Sequence, residues 1–343
     1  MEEIQKCRIC GNKSLKTVMN LGLQSLTGVF PKKSEEQVKT GPIELLRCSA
    51  SDGCGLVQLK QSYDLESMYG MNYGYRSGLN KSMVQHLQQK VANILSKKIL
   101  KKGDLVIDIG SNDATTLRTY PENMYELVGI DPTGVKFESY YPKHIKLISN
   151  FFDANIIDQN FSEKKAKIIT SFSMFYDLED PIAFAKDIEA CLDSEGLWIF
   201  EQSYLPSMLK TNSFDTICHE HLEFYALKQI IWIAKEAGLR VLDVEFNDVN
   251  GGSFSITTAK INSTHKANTE VLNSILKDEN DLGLNSEKAY DDFKFHVQIQ
   301  KDALLKFLNN AKKDSKRVCA LGASTKGNVL LQFPRGQGYG RPD

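Results

Sequence analysis

Nine consecutive residues, 217–225, carry an unusual density of side chains that could do chemistry. Within them His219, Glu220 and His221 are adjacent. A histidine titrates near neutral pH and can remove a proton from a substrate, while a neighbouring carboxyl group can orient the imidazole or hydrogen-bond an anion. The helical i, i+4 spacing of the H-E-x-x-H zinc motif is missing. We predict acid–base chemistry, with a metal site and a purely structural polar loop as the alternatives.

Four cysteines in the first part of the chain form two pairs. The first pair, Cys7 and Cys10, is followed directly by Gly11, and the second pair, Cys48 and Cys54, is followed directly by Gly55. Glycine permits a tight turn at such a position. Four thiolates satisfy the tetrahedral coordination of a structural zinc ion and leave no open position. A segment of only about sixty residues also needs such a staple to hold its fold. We predict a structural zinc site, and the alternative is four incidental buried thiols.

The elements that must position these groups alternate between strands and helices from residue 105 onward. Such alternation predicts a parallel sheet with helices on both faces, an α/β fold. The predicted strands are 105–109, 126–130, 145–149, 166–170, 197–200, 239–245 and 253–260, and the predicted helices are 81–98, 181–192 and 228–237. Five parallel strands that finish in an antiparallel pair resemble the class I S-adenosylmethionine-dependent methyltransferases, a Rossmann-like fold.

The first strand of this sheet ends in a turn that resembles the cofactor turn of those methyltransferases. Gly110 would let the backbone approach the methionine part of S-adenosylmethionine, and Asn112 and Asp113 can hydrogen-bond its amino and carboxyl groups. Asp131 follows Asp108 by 23 residues and is placed to accept both ribose hydroxyls. The further glycines of a pyrophosphate cradle are absent, which argues against a dinucleotide. An acidic turn without a ligand is the alternative.

The predicted cofactor residues lie after four successive strands, because ligands bind at the carboxyl edge of such sheets. Asn150, Phe151 and Phe152 would flank the adenine, and the segment 171–181 would line the methyl-donor end. The full set is Asp108, Gly110, Ser111, Asn112, Asp113, Asp131, Pro132, Asn150, Phe151, Phe152, Ser173, Met174 and Tyr176.

The composition restricts the classes of partner. Lys plus Arg number 42 and Asp plus Glu 43, a formal net charge of −1, which argues against a general binder of nucleic acid or anionic membranes. We see no secretory signal, and no apolar run approaches the length that spans a bilayer. We therefore expect a soluble, cytoplasmic protein whose seven cysteines are not a disulfide framework.

The C-terminal part is predicted as a helical connector, about 268–313, followed by a short unit. A strand at 317–321 leads into Gly-Ala-Ser-Thr-Lys-Gly-Asn (322–328) and a further helical piece, like the start of a second nucleotide-type βα unit. The Gly- and Pro-rich residues 333–343 are expected to be unstructured. This unit is expected to be a truncated Rossmann-like domain with an exposed strand edge that favours self-association. The apolar residues of that edge are Leu330, Leu331 and Phe333.

Taken in order, the motifs resemble those of the sugar C-methyltransferases, which methylate a ring carbon beside the keto group of nucleotide-linked deoxysugars. They are the two cysteine pairs, NYGYRSG, DIGSND, MFYDLEDP, EQSYLP, ICHEHLEFY and GASTKGN, and they cover the chain to about Gln332. The resemblance implies an N-terminal zinc domain, a central methyltransferase domain and a C-terminal Rossmann-like domain.

The resemblance also implies roles for single residues. His221 removes the proton from the carbon beside the ketone, and the resulting enolate attacks the sulfonium methyl. The glutamate of the family's motif falls on Glu220, and a tyrosine from the loop before the central domain helps hold the substrate or the enolate. Tyr75 is the first choice for that tyrosine and Tyr73 the second.

We predict four segments: a zinc-binding domain (1–65), a linker loop and helix (66–100), a methyltransferase domain (101–262), and a connector with the partial C-terminal domain (263–343). The predicted function is C-methylation of a nucleotide-linked 4-keto-deoxysugar. The alternatives are an O- or N-methyltransferase on a sugar or small metabolite, and a non-catalytic protein that binds zinc and S-adenosylmethionine. We expect a monomer, with self-association through the C-terminus as the alternative.

Overall fold

The N-terminal part of the chain is built from short antiparallel strands. The computed structural model describes residues 1–27, 31, 33, 35–64, 74–162, 164–319 and 325–335. The strands here are β1 (Glu2–Glu3), β2 (Leu15–Ser25), β3 (Thr40–Cys48), β4 (Val57–Leu59) and β5 (Gln61–Ser62). Strands β2, β3 and β4 pair side by side, and β1 pairs with β5. Apolar side chains from one face of this sheet join the main core of the molecule.

Seven of the later strands form the central sheet. The later strands are β6 (Leu105–Ile109), β7 (Glu126–Ile130), β8 (Ile145–Ile148), β9 (Ala166–Phe172), β10 (Leu192–Ser203), β11 (Glu223–Phe224), β12 (Leu239–Asn247) and β13 (Ser253–Lys260). The order across the sheet is β12-β13-β10-β9-β6-β7-β8. Neighbours from β8 to β10 are parallel, whereas β13 is antiparallel to both β10 and β12. This is the predicted class I methyltransferase sheet.

Helices cover both faces of the central sheet. The helices are α1 (Lys81–Ser96), α2 (Ala154–Phe161), α3 (Pro181–Cys191), α4 (Leu205–Thr211), α5 (Leu227–Glu236), α6 (Thr269–Asp281), α7 (Lys288–Lys313) and α8 (Thr325–Arg335). Successive side chains of a strand point to opposite faces, so that Val106 belongs to the apolar cluster that contains Val91 of α1, whereas Ile107 belongs to the cluster that contains Ile188 of α3. None of the helices in the described ranges is long and apolar enough to cross a membrane.

Helix α5 begins directly after the segment 217–225, and a distant carboxylate caps it. Ala226 at its N-cap position has no side-chain acceptor for the first helical amides. Oε1 of Glu279, on α6, accepts the Leu227 amide over 2.6 Å and the Tyr204 hydroxyl over 2.9 Å. Helix α6, the first helix of the predicted connector, therefore holds the C-terminal end of the segment 217–225 in place.

The C-terminal region differs from the prediction in two respects. Residues 317–319 of the predicted strand 317–321 are not extended into a strand, and its last two residues lie outside the described part. A strand needs a neighbour for its backbone hydrogen bonds, and none in the described residues lies alongside. The apolar residues predicted to form the exposed strand edge lie instead on helix α8. The ring of Phe333 on this helix packs against the ring of Phe214, with centroids 5.4 Å apart.

Candidate active site

The four predicted metal-binding cysteines lie together. The Sγ atoms of Cys7, Cys10, Cys48 and Cys54 are all within 4.8 Å of one another. Tetrahedral zinc–thiolate coordination, with bonds of about 2.3 Å, places sulfur atoms about 3.8 Å apart. Gly11 and Gly55, after the pairs, have φ of +69° and +76°, a conformation that disfavours any residue with a Cβ. The donor set, its spacing and the turns all fit a closed structural zinc site.

The N-terminal domain also holds the segment 217–225, which we call the HEH segment. Strand β11, at the end of this segment, pairs antiparallel with β4, and Glu223 lies opposite Gln58. The Leu59 amide donates to the Leu222 carbonyl over 2.8 Å. Through β11, the HEH segment therefore contributes the fourth strand of the N-terminal sheet, although more than 150 residues separate β11 from β4.

Both ring nitrogens of His219 are occupied by the N-terminal domain. The Nε2 atom lies 3.1 Å from the Gly41 carbonyl, which can only accept, so Nε2 carries the proton. The Nδ1 atom then accepts the Thr27 amide over 3.3 Å. The side chain is 1% exposed, and burial lowers the pKa of His219 to about 4. This histidine is a neutral structural group, which argues against the metal alternative for the HEH segment.

His221 has the opposite tautomer. Its Nδ1 atom lies 2.8 Å from the Thr216 carbonyl and must donate to it, which leaves Nε2 as an unprotonated acceptor. The imidazole packs on Tyr176, with ring centroids 4.3 Å apart. Burial lowers the pKa of His221 to about 4, with a smaller contribution in the same direction from the Lys326 cation and an opposing one from Thr216. At neutral pH the side chain is therefore a neutral base whose orientation is fixed.

Glu220 joins three parts of the chain. Thr27 of the N-terminal domain donates to its Oε2 atom over 2.9 Å, and Thr325 at the start of α8 donates to Oε1 over 3.3 Å. Burial raises the pKa of the Glu220 carboxyl group. A raised pKa favours the protonated form of a carboxyl group, and that form can donate a hydrogen bond.

A cavity of about 350 Å³ lies at the carboxyl ends of β6, β7 and β9, and we call it the donor cavity. Its size is within the usual range for a small-molecule site. The predicted cofactor residues that line it are Asp108, Gly110, Ser111, Asn112, Asp131, Pro132, Asn150, Phe151, Phe152, Ser173 and Met174. Gly110 has φ of +71°, and a Cβ there would lie 3.1 Å from Met174.

The Asp131 carboxylate is already partly engaged by the protein. Oδ1 accepts the amide and the hydroxyl of Thr133 (2.7 and 2.6 Å), and Oδ2 accepts the amide of Asn112 (2.8 Å). A carboxylate offers about four acceptor sites, so about one remains for a ligand hydroxyl. Asp108 is held by the Thr170 hydroxyl over 2.6 Å, and burial raises its pKa to about 7.

Of the remaining predicted site residues, one lines the donor cavity, three lie elsewhere in the structure and one lies outside the described residues. Asp113 points to the loop before α1 and does not line the donor cavity. Tyr176 and His221 do not line it either, and Tyr176 packs on His221. Tyr75 lines the cavity and is 46% exposed. Tyr73 lies outside the described residues.

Several groups that build the site were not identified from the sequence. Thr27, Gly41 and Thr216 fix the two imidazoles, and nothing in their local sequence indicates this role. Met83 and Leu87 of α1 line the donor cavity, and their helical spacing was a signal that could have indicated it. Helix α1 is anchored above the sheet by Glu201 of β10, which pairs with His86 (2.6 Å) and Lys90 (2.7 Å).

Three family models match consecutive parts of the chain. They are described as "Putative zinc binding domain" (residues 7–69), "Methyltransferase domain" (residues 79–244) and "C-methyltransferase C-terminal domain" (residues 248–335). Among curated proteins, the C-methyltransferase NovU of Streptomyces niveus is 27% identical over 333 residues, which are 96% of this chain and 78% of that protein.

Solved structures resemble part of the chain. An S-adenosylmethionine-dependent methyltransferase from Clostridium acetobutylicum aligns with 52% of this chain and 92% of its own, with a TM-score of 0.41 and 12% identity. A chain from a complex of the Haloferax volcanii Trm112 methyltransferase activator with a methyltransferase aligns with 53% of this chain and 94% of its own (TM-score 0.42, 16% identity).

Proposed function

Because this chain belongs to the S-adenosylmethionine-dependent C-methyltransferases that carry an N-terminal zinc-binding domain, we propose that it methylates the carbon beside the ketone of a nucleotide-linked 4-keto-deoxysugar. The sugar substrate is supported by the order of motifs along the chain. The observation that carries the proposed chemistry is the tautomer of His221, whose Nε2 atom is left as a proton acceptor.

The residues that line the donor cavity would hold S-adenosylmethionine, which would supply an electrophilic methyl group on a sulfonium. Gly110 would let the turn after β6 approach the methionine part, and Asp131 would accept a ribose hydroxyl on its remaining acceptor site. Phe151 and Phe152 would offer apolar surface to the adenine, and Met174 lies beside Gly110, where it would contact the methionine part. The four cysteines would hold a structural zinc ion that stabilises the domain supporting the HEH segment.

His221 removes the proton from the carbon beside the ketone. The proton moves to Nε2 of His221, and the electron pair of the C–H bond becomes the enolate. The enolate carbon would then form the new C–C bond with the donor methyl group while the methyl–sulfur bond breaks, which would leave a neutral thioether. General-base catalysis of this kind contributes roughly 10²–10⁴ to the rate. A pKa of about 4 keeps the imidazole neutral at pH 7, but it also makes the imidazole a weak base, so the enolate must be strongly stabilised.

Glu220 and Tyr75 supply that stabilisation. A protonated Glu220 can donate to the enolate oxygen, and its raised pKa supports this role. The Tyr75 hydroxyl, whose pKa is raised by the partial desolvation of the side chain at the cavity wall, stays protonated and donates from the donor-cavity side. Each donor aimed at a developing oxyanion contributes on the order of 3 kcal/mol to the barrier.

Solvent deuterium exchange tests the proposal. With 4-keto-deoxysugar nucleotides, the enzyme and no methyl donor, deuterium should enter the carbon beside the ketone, and His221→Gln should abolish the exchange. Methyl transfer without any exchange at that carbon would favour an O- or N-methyltransferase. Donor binding with neither exchange nor turnover on any candidate sugar would favour a non-catalytic protein.

A further inference from the structure

We propose that Asn112 and Asp113 are positioning residues that hold the Tyr75 loop, residues 74–79, over the donor cavity. Both follow Gly110 in the cofactor turn, where the sequence alone assigns them to the donor's amino and carboxyl groups. Although Asn112 lines the donor cavity, its carboxamide binds the loop that carries Tyr75, and the carboxylate of Asp113 binds that loop and Thr115. The inference rests on the proposed function, because it assigns Tyr75 a part in the reaction.

The side chain of Asn112 spans two positions of the Tyr75 loop. Its Oδ1 atom accepts the Ser77 amide over 2.9 Å, and its Nδ2 atom donates to the Tyr75 carbonyl over 3.2 Å. The carboxamide therefore mimics a neighbouring strand and fixes the backbone on both sides of Arg76. Asn112 is 6% exposed and has φ of +49°, a left-handed conformation that asparagine tolerates better than most residues.

The carboxylate of Asp113 has little capacity left for a ligand. Its Oδ2 atom accepts the Gly78 amide over 3.0 Å and lies 3.9 Å from the Arg76 guanidinium. Its Oδ1 atom accepts the hydroxyl and the amide of Thr115 (2.5 and 3.3 Å). Asp113 is 1% exposed and does not line the donor cavity, so it cannot reach the donor without breaking these bonds.

Gly78 shows independently how closely the two segments approach. A Cβ built on Gly78 would lie 2.4 Å from Oδ2 of Asp113 and 3.2 Å from the Thr115 hydroxyl oxygen. The φ of Gly78 is not in the left-handed region, so a larger residue is excluded there by steric clash and not by the backbone conformation. The loop sequence and the turn sequence are thus matched to each other.

The same turn connects the loop to the ribose site. The Asn112 amide donates to Asp131, while the Asn112 carbonyl accepts the Tyr141 hydroxyl over 3.0 Å. A single residue therefore contacts the predicted ribose acceptor through its backbone and the Tyr75 loop through its side chain. The position of Tyr75 is set by the turn that also forms the donor site.

The test separates donor affinity from loop order in Asn112→Ala and Asp113→Ala. Calorimetry with S-adenosylhomocysteine should give a Kd within about threefold of wild type, whereas trypsin cleavage after Arg76, followed by mass spectrometry, should accelerate at least tenfold. The exposed substitution Asn160→Ala serves as the matched control and should change neither value. A tenfold weaker Kd with unchanged cleavage would overturn the proposal and return both residues to the donor.

Two further variants address the case in which the turn itself is damaged. Gly78→Ala leaves every side chain of the cofactor turn intact and should still accelerate cleavage and lower kcat. If it changes neither, the proposal is wrong.

In a Tyr75→Phe background, Asn112→Ala should lower kcat far less than in wild type, because both substitutions act through the Tyr75 hydroxyl. A full additive loss of kcat would contradict the proposal. The rate of trypsin cleavage and the Kd of S-adenosylhomocysteine are measured without a sugar substrate. Their outcome therefore does not depend on whether the proposed methylation reaction is correct.

Discussion

The hydroxyl of Thr27 donates to Oε2 of Glu220 over 2.9 Å, and its oxygen accepts the amide of His219 over 3.1 Å. One buried side chain of the N-terminal domain therefore binds two adjacent residues of the HEH segment, which lies more than 190 positions later in the chain. Together with the pairing of β4 and β11, this contact makes the N-terminal domain and the HEH segment one structural unit.

Removing the Thr27 hydroxyl should weaken that unit. Thr27→Val keeps the side-chain shape but leaves the His219 amide without its acceptor and Oε2 of Glu220 without the Thr27 donor, so we expect the free energy of unfolding to fall by about 1–3 kcal/mol. Urea denaturation measures the change. The exposed strand substitution Thr17→Val is the control and should change stability far less; equal effects would mean that the Thr27 contacts are unimportant.

Replacing the proposed base should stop the reaction without affecting the donor. His221→Gln should lower kcat at least about 10²-fold, which is the lower limit of the usual contribution of a general base to the rate. The Kd of S-adenosylhomocysteine should stay near the wild-type value. The exposed His296→Gln should have neither effect. A large loss of donor affinity in His221→Gln would indicate a structural role for the residue.

The pH dependence of the reaction follows from the same group. A general base acts in its neutral form, and the pKa of His221 is lowered from 6.5 to about 4. The acid limb of kcat/KM should therefore fall near pH 4 and stay flat through pH 6.5, measured over a range in which the enzyme remains folded. A limb centred near 6.5 would contradict a buried, neutral His221.

The stability of the fold should fall in acid because of His219. Between pH 6.5 and its folded-state pKa of about 4, the unfolded chain binds a proton that the folded chain does not, so stability is lost as the pH falls through this window. Each pKa unit corresponds to about 1.4 kcal/mol, which gives a loss of roughly 3 kcal/mol. Urea denaturation from pH 7 to pH 4 should show a smaller slope in His219→Gln; an unchanged slope would exclude this origin.

The ribose site can be tested at Asp131. Asp131→Ala removes the carboxylate that receives a donor hydroxyl and also frees the amides of Asn112 and Thr133, so we expect S-adenosylhomocysteine to bind at least tenfold more weakly. Calorimetry gives the Kd. Asp158→Ala, at an exposed helix position, is the matched control, and binding unchanged in both variants would place the ribose elsewhere.

The zinc site should support the HEH segment as well as its own domain. Cys54→Ser should lower the zinc content from one ion per chain towards zero, and hydrogen exchange at residues 217–225 should accelerate because β11 loses its partner β4. Cys319→Ser, at an exposed thiol, should retain the metal. Zinc loss without faster exchange would mean that the two parts are independent.

The sequence by itself determined the strands of the central sheet and three of the helices that cover it, α1, α3 and α5. The bounds of β6, β7 and β13 coincide with the predicted strands, because short runs rich in apolar or β-branched residues between turn residues specify strands locally. The cysteine cluster was equally predictable, since the two pairs with their glycines suffice to indicate it. The chemistry of these parts is encoded in short, contiguous stretches.

Only the tertiary structure decided what each side chain of the HEH segment and the cofactor turn contacts. His219 and His221 are two residues apart, yet Gly41 and Thr216 give them opposite tautomers, and neither partner is adjacent in the sequence. The same holds for Asn112 and Asp113, whose acceptors are taken by the Tyr75 loop. Hydrogen-bond partners of buried polar groups depend on which distant backbone lies alongside, and a local pattern of residues contains no information about that.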